Sequence, residues 1–188
     1  CLAEAGQKVL AVDFDPQGNA TSGLGFEKGY MDKTVYELLV GECTLEECII
    51  KEVQENLDVL PSDVNLAGAE IELLDVPNKE SLLKLELEKV EKNYDYIIMD
   101  TAPLGLVIDA AIIAKQCDGS IIVIKSGNTD RKLAQQVKSR LEAADARILG
   151  VVLNESSGGH SGYGYGGYGA YGYGEHGGKA SGKKLKKR

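Results

Sequence analysis

The chain has 188 residues, 43% of them hydrophobic, and a formal net charge of −8; this fits one domain with a real core and leaves no apolar run of membrane-spanning length. Residues 1–178 hold 15 basic and 29 acidic side chains, whereas 179–188 hold six basic and no acidic ones. An acidic body argues against broad binding to a phosphate backbone, which needs clustered Lys and Arg. The four cysteines (Cys1, Cys43, Cys48 and Cys117) form no CxxC pair and no His/Cys cluster. A zinc site or disulfide framework is therefore not expected, Cys43 and Cys48 are expected as packing residues, and a reducing cytoplasm is the simpler home.

In chain order, the opening CLAEAGQKV looks like the second half of an amphipathic helix, has no signal-peptide apolar region, and begins with Cys rather than Met, so it reads as a fragment. Apolar runs rich in β-branched residues follow at 8–13, 57–61, 95–100, 120–125 and 148–154. Such continuous runs suit strands covered on both faces. Helical patterns lie between them. Residues 78–92 place Leu83, Leu87 and Val90 on one stripe after Pro77-Asn78, residues 106–116 make an Ala/Ile-rich helix, and residues 130–144 place Leu133, Val137 and Leu141 on another stripe after Asp130. Strands alternating with helices imply an α/β fold, a doubly wound and mostly parallel sheet over residues 1–154.

Beyond Asn154, Gly, Tyr and Ser dominate and no apolar periodicity survives, so 155–178 is expected to be a flexible tyrosine cluster and 179–188 a disordered basic tail. Contact of that tail with anionic lipid or nucleic acid is the alternative to a simply solvated end. His160 and His176 have no ligand-spaced partners and receive no role.

In open parallel sheets, ligands sit beyond the carboxyl ends of the strands. Asp13 and Asp15 end one predicted strand and Asp100 ends another. Converging carboxylates there are what a Mg²⁺-nucleotide site requires, although any one of them alone would equally cap a turn. Asn154 closes the last strand, where its amide suits either a base edge or the start of a loop.

The stretches LAEAGQKVLAVDFDPQGNATSGLG and NLDVLPSDVNLAGAEIELL resemble the ParA/Soj chromosome- and plasmid-partitioning ATPases over residues 1–97. From DYIIMDTAPLG to ILGVVLN and through the tyrosine cluster, residues 94–178 resemble instead the bacterial tyrosine autokinases of capsule and exopolysaccharide systems. Both resemblances imply one deviant-Walker P-loop NTPase fold of the ParA/MinD type, with ATP and Mg²⁺. They imply Asp13 as a base toward an incoming hydroxyl, Asp15 and Asp100 as metal- and nucleotide-binding carboxylates, and Asn154 against the adenine. No GKT or GKS occurs in the chain, so the first strand and phosphate-cradling loop are expected to be missing and the fragment inactive alone.

The kinase resemblance implies autophosphorylation of Tyr163, Tyr165, Tyr168, Tyr171 and Tyr173, self-association as a dimer or ring, and a membrane-bound activator at the inner face of the membrane. The partitioning resemblance implies ATP-dependent dimerisation, DNA binding and a centromere-binding partner. Two departures bear on the kinase side: Ala102 stands for that family's first proline, and Pro16-Gln17-Gly18 replaces its Arg-containing continuation. Gly-Tyr repeats also occur in sequences that associate through aromatic contacts without phosphorylation.

Overall fold

The computed structural model describes residues 1–27, 31–103 and 109–155. Among the described residues there are six strands, β1 (Val9–Phe14), β2 (Ile50–Gln54), β3 (Leu57–Leu60), β4 (Tyr96–Thr101), β5 (Ser120–Lys125) and β6 (Ile148–Asn154), and seven α-helices. The helices are α1 (Asn19–Gly23), α2 (Val35–Val40), α3 (Leu45–Cys48), α4 (Leu66–Glu72), α5 (Leu82–Glu88), α6 (Asp109–Gln116) and α7 (Arg131–Ala143).

The strands form one sheet ordered β2-β3-β1-β4 and a separate pair, β5-β6. β1 runs parallel to both β3 and β4, and β5 runs parallel to β6, as expected. The exception is β2, which sequence reading missed: it pairs antiparallel with β3 at the edge, through a register irregularity. Its sequence IKEVQ is too polar to stand out as a buried run, and Glu52 takes a positive φ of 53°.

The principal core lies beneath β1, where Leu10, Val12 and Leu60 meet Val35, Leu38 and Leu45 of α2 and α3 and Leu83, Leu87 and Val90 beyond α4. Burying each such side chain stabilises the fold by about 1.5–3 kcal/mol. A smaller core joins Ala114 of α6 and Leu141 of α7 to Ile122 and Ile148. The entry to α2 is fixed by a capping box, in which Thr34 Oγ1 accepts from Tyr36 N–H at 3.1 Å and Glu37 Oε2 accepts from Thr34 N–H at 2.7 Å.

The opening residues end as a helix does, as expected: Ala5 N–H donates to Cys1 C=O at 3.0 Å, and Gly6 and Gln7 N–H donate back to Ala3 and Leu2 C=O around the left-handed Gly6, φ +82°. Three expectations need correction. The helix expected over 78–92 is broken into a 3₁₀ turn, α5 and a second 3₁₀ turn, beginning at Asn78 with φ 56°, although its predicted apolar stripe is buried. Cys43 and Cys48 are joined as a disulfide across α3, while Cys48 also packs in the core. Finally, β4, β5 and β6 are not covered on both faces: Ile121 is 61% and Val123 65% exposed, and Tyr96, Ile98, Val151 and Leu153 are exposed too.

Candidate functional site

The register of β1 on β4 places Asp13 opposite Asp100, with adjacent parallel strands about 4.8 Å apart. Their side chains leave the same face of the sheet, because paired residues of parallel strands share a face. Asp15 lies just past the end of β1. The sequence expectation that three strand-terminal carboxylates converge is met for Asp13, Asp15 and Asp100: the charges of both other carboxylates act on Asp100.

The three are held very differently. Asp13 is 0% exposed and Asp15 8%, whereas Asp100 is exposed. Asp13 Oδ2 accepts from both Thr21 N–H and Thr21 Oγ1–H, each at 2.7 Å. Its Oδ1 accepts one longer bond, 3.2 Å, from Asp15 N–H. Asp15 Oδ1 accepts from Gln17 N–H at 2.9 Å, and Asp15 C=O accepts from Gly18 N–H at 2.8 Å. Pro16 supplies the fixed φ of that tight turn, and Gly18 supplies the left-handed φ of 57° that starts α1. The DPQGN segment is thus a turn that bends the chain back so that Thr21 reaches the first aspartate.

Partial burial, and then the negative charges of Asp13 and Asp15, push the Asp100 carboxyl above its ordinary range. Such an unneutralised group of carboxylates suits a hard divalent cation, which offsets the repulsion. Among the described residues no group of three or more His, Cys, Asp or Glu side chains forms a metal cage on its own. Magnesium commonly takes one or two carboxylates and completes its shell with phosphate and water, so Asp15 and Asp100 fit that need.

Asn154 ends β6 in register with Lys125, and its Oδ1 accepts from Glu155 N–H at 2.9 Å. In this arrangement it closes a strand. Tyr163, Tyr165, Tyr168, Tyr171 and Tyr173 lie outside the described residues. A cavity of about 1030 Å³ is lined by Phe14, Leu83, Leu87, Met99, Thr101 and Ile113 among others. Phe14 and Thr101 are paired in register one residue beyond Asp13 and Asp100, so this apolar cavity lies on the opposite face from the carboxylates.

Sequence reading missed two residues of the site. Thr21 lies within the quoted DPQGNAT segment, eight residues after Asp13. Ser62 follows Pro61, just beyond β3, and its N–H donates to Thr21 Oγ1 at 3.0 Å. Thr21 had a signal in its spacing from the aspartate; Ser62 had none, since it is 41 residues from Thr21.

The AAA domain family AAA_31 matches residues 1–146. The chain belongs to this family of P-loop NTPases. The chain is 48% identical over 126 residues to the sporulation initiation inhibitor protein Soj of Bacillus subtilis (strain 168), covering 63% of this chain and 50% of Soj. It is 36% identical over 168 residues to the tyrosine-protein kinase CpsD of Streptococcus agalactiae serotype Ia, covering 87% of this chain and 68% of CpsD. A match of that length necessarily continues past Asn154. The crystal structure of cobyrinic acid a,c-diamide synthase from Mycobacterium smegmatis with a bound ATP analog and magnesium superposes with a TM-score of 0.67 at 27% identity, over 81% of this chain and 62% of that one. The chain spans about half the length of Soj and about two-thirds of CpsD. Both sequence resemblances, and the ParA/MinD-like fold they implied, are therefore upheld. Among the described residues no helix is long and apolar enough to cross a membrane.

Proposed function

We propose that this chain is the catalytic part of an ATP-dependent protein-tyrosine autokinase in a capsule or exopolysaccharide regulatory system. Its acceptors are Tyr163, Tyr165, Tyr168, Tyr171 and Tyr173, supplied by a neighbouring subunit of a self-associated assembly. The observation that carries this reading is the likeness to CpsD, which runs on into the tyrosine-bearing residues. Bound Mg²⁺-ATP supplies the transferable phosphoryl group and neutralises its developing charge.

Asp15 and Asp100 would hold the cation, brought together by the register of β1 on β4, which sets Asp13 opposite Asp100. The transfer forms a bond between the phenolic oxygen and phosphorus, breaks the bond to the ADP oxygen, and frees the phenolic proton. For Asp13 to take that proton, Oδ1 is the oxygen to be released, since one 3.2 Å bond holds it while two 2.7 Å bonds hold Oδ2. Asn154, whose Oδ1 accepts from Glu155 N–H, would offer its side-chain NH2 to the adenine. Catalysis by this set is positioning and charge neutralisation.

The higher identity to Soj over 126 residues favours a second reading, a partitioning ATPase that dimerises on ATP and binds DNA beside a centromere-binding partner. Two assays on the full-length protein separate them. The kinase reading expects phosphate from MgATP to enter the protein on tyrosine, to be lost when all five tail tyrosines become phenylalanine, and no salt-sensitive binding to random duplex DNA. DNA binding that weakens steeply with salt, with no phosphotyrosine, supports the partitioning reading and overturns the first.

A further inference from the structure

Ser62 follows β3 in the segment Pro61-Ser62-Asp63 and is fully buried. Its backbone N–H donates to Thr21 Oγ1 at 3.0 Å, and that hydroxyl donates to Asp13 Oδ2 at 2.7 Å. The Ser62 side chain, by contrast, is unused: among the described residues its Oγ is the one buried side-chain nitrogen or oxygen without a hydrogen-bond partner. The neighbouring Asp63 carboxylate accepts instead from Asn65 N–H at 2.9 Å and from Asn65 Nδ2–H at 3.1 Å. A buried hydroxyl left unpaired destabilises a fold, so alanine would serve packing at this position at least as well.

We propose that the Ser62 hydroxyl is a positioning group for Asp13, acting through Thr21 once nucleotide is bound. A threonine hydroxyl has one proton to donate and two lone pairs. Thr21 Oγ1 gives its proton to Asp13 and uses one lone pair for Ser62 N–H, which leaves one lone pair for Ser62 Oγ–H. That bond polarises the Thr21 hydroxyl toward Asp13 Oδ2 and keeps this oxygen fixed while Oδ1 faces the reacting group. The loop after β3 thereby reports on, and steadies, the loop after β1. This assignment rests on the phosphoryl-transfer reading above.

The test is steady-state MgATP turnover and thermal unfolding of the full-length protein as wild type, Ser62→Ala, Thr21→Val and the double variant. Ser62→Ala is expected to melt at the wild-type temperature or above it, while kcat falls by roughly tenfold and KM stays within about twofold. In the Thr21→Val background the further effect of Ser62→Ala on kcat is expected to vanish. A lower melting temperature in Ser62→Ala, or an equal loss of kcat in both backgrounds, overturns the proposal. An active wild type with an indistinguishable Ser62→Ala overturns it alone. A wild type that turns over no MgATP overturns the transfer reading and this assignment with it.

Discussion

Asp13 and Asp100 face one another in register, yet one is a buried acceptor of three hydrogen bonds and the other an exposed carboxyl. The difference follows from the turn after β1, which folds Thr21 back onto Asp13 and gives Asp100 nothing equivalent. Asp100 then has a folded pKa above its ordinary 3.8, raised by partial burial and by Asp13 and Asp15. A carboxyl shifted upward binds its proton more tightly in the folded state. Its contribution to stability is therefore greatest below its unfolded pKa and is lost as pH rises through the folded one. Asp100→Asn is expected to melt no lower than wild type at pH 7, to lose part of the pH dependence above pH ~4, and to abolish phosphoryl transfer. Thermal melts across pH check the first two expectations, and a lower midpoint at pH 7 contradicts the repulsion described here. All three aspartates were legible in the sequence because each follows an apolar run. Thr21 carried a signal only in its spacing from Asp13, within the same turn, and Ser62 carried none, because only the folded chain brings it to Thr21 across 41 residues.

The edge strand β2 shows why some elements escaped the sequence. It has no apolar run of its own and is held by a polar tie. Lys51 Nζ donates to Asp58 Oδ2 at 3.0 Å and to Tyr94 OH at 2.6 Å, while Tyr94 OH donates to Asp58 Oδ2 at 2.6 Å. Glu52 N–H adds a 2.8 Å bond to Asp58 Oδ1. Burial alone would raise the Asp58 pKa, but the hydrogen bonds from Tyr94, Glu52 and Lys51 outweigh it and the carboxyl lies below its ordinary range. Tyr94→Phe removes both bonds of its hydroxyl and is expected to cost about 1–2 kcal/mol and to speed amide exchange in β2 before β3. Unchanged exchange in β2 would show that the backbone ladder alone holds the strand. By contrast β1, β3, β4, β5, β6 and α7 were legible, because apolar runs or a 3.6-residue stripe carry them. Asp130 caps α7 as expected, accepting from Lys132 N–H at 3.2 Å.

For the molecule as a whole, the sequence pattern of five apolar runs led to the α/β class but overstated how far the strands are covered. Among the described residues β4 pairs only with β1 and β5 only with β6, so each has an edge free of strand partners beside exposed apolar side chains. Open edges and contiguous apolar surface favour association. The 188-residue chain is expected to associate with rising concentration in size-exclusion chromatography, and Val123→Lys to reduce it; a monomer at all concentrations contradicts this. Phosphorylation acts in the opposite direction. Five phosphotyrosines would add on the order of −8 to −10 charges to a chain already at −8, so the phosphorylated assembly is expected to separate. The most direct measurement is residue-level mass spectrometry of the full-length protein after incubation with MgATP, beside the Asp100→Asn variant. The account expects phosphate on Tyr163, Tyr165, Tyr168, Tyr171 and Tyr173 in the wild type and none in the variant. ATP consumed with every one of these tyrosines unmodified would contradict it.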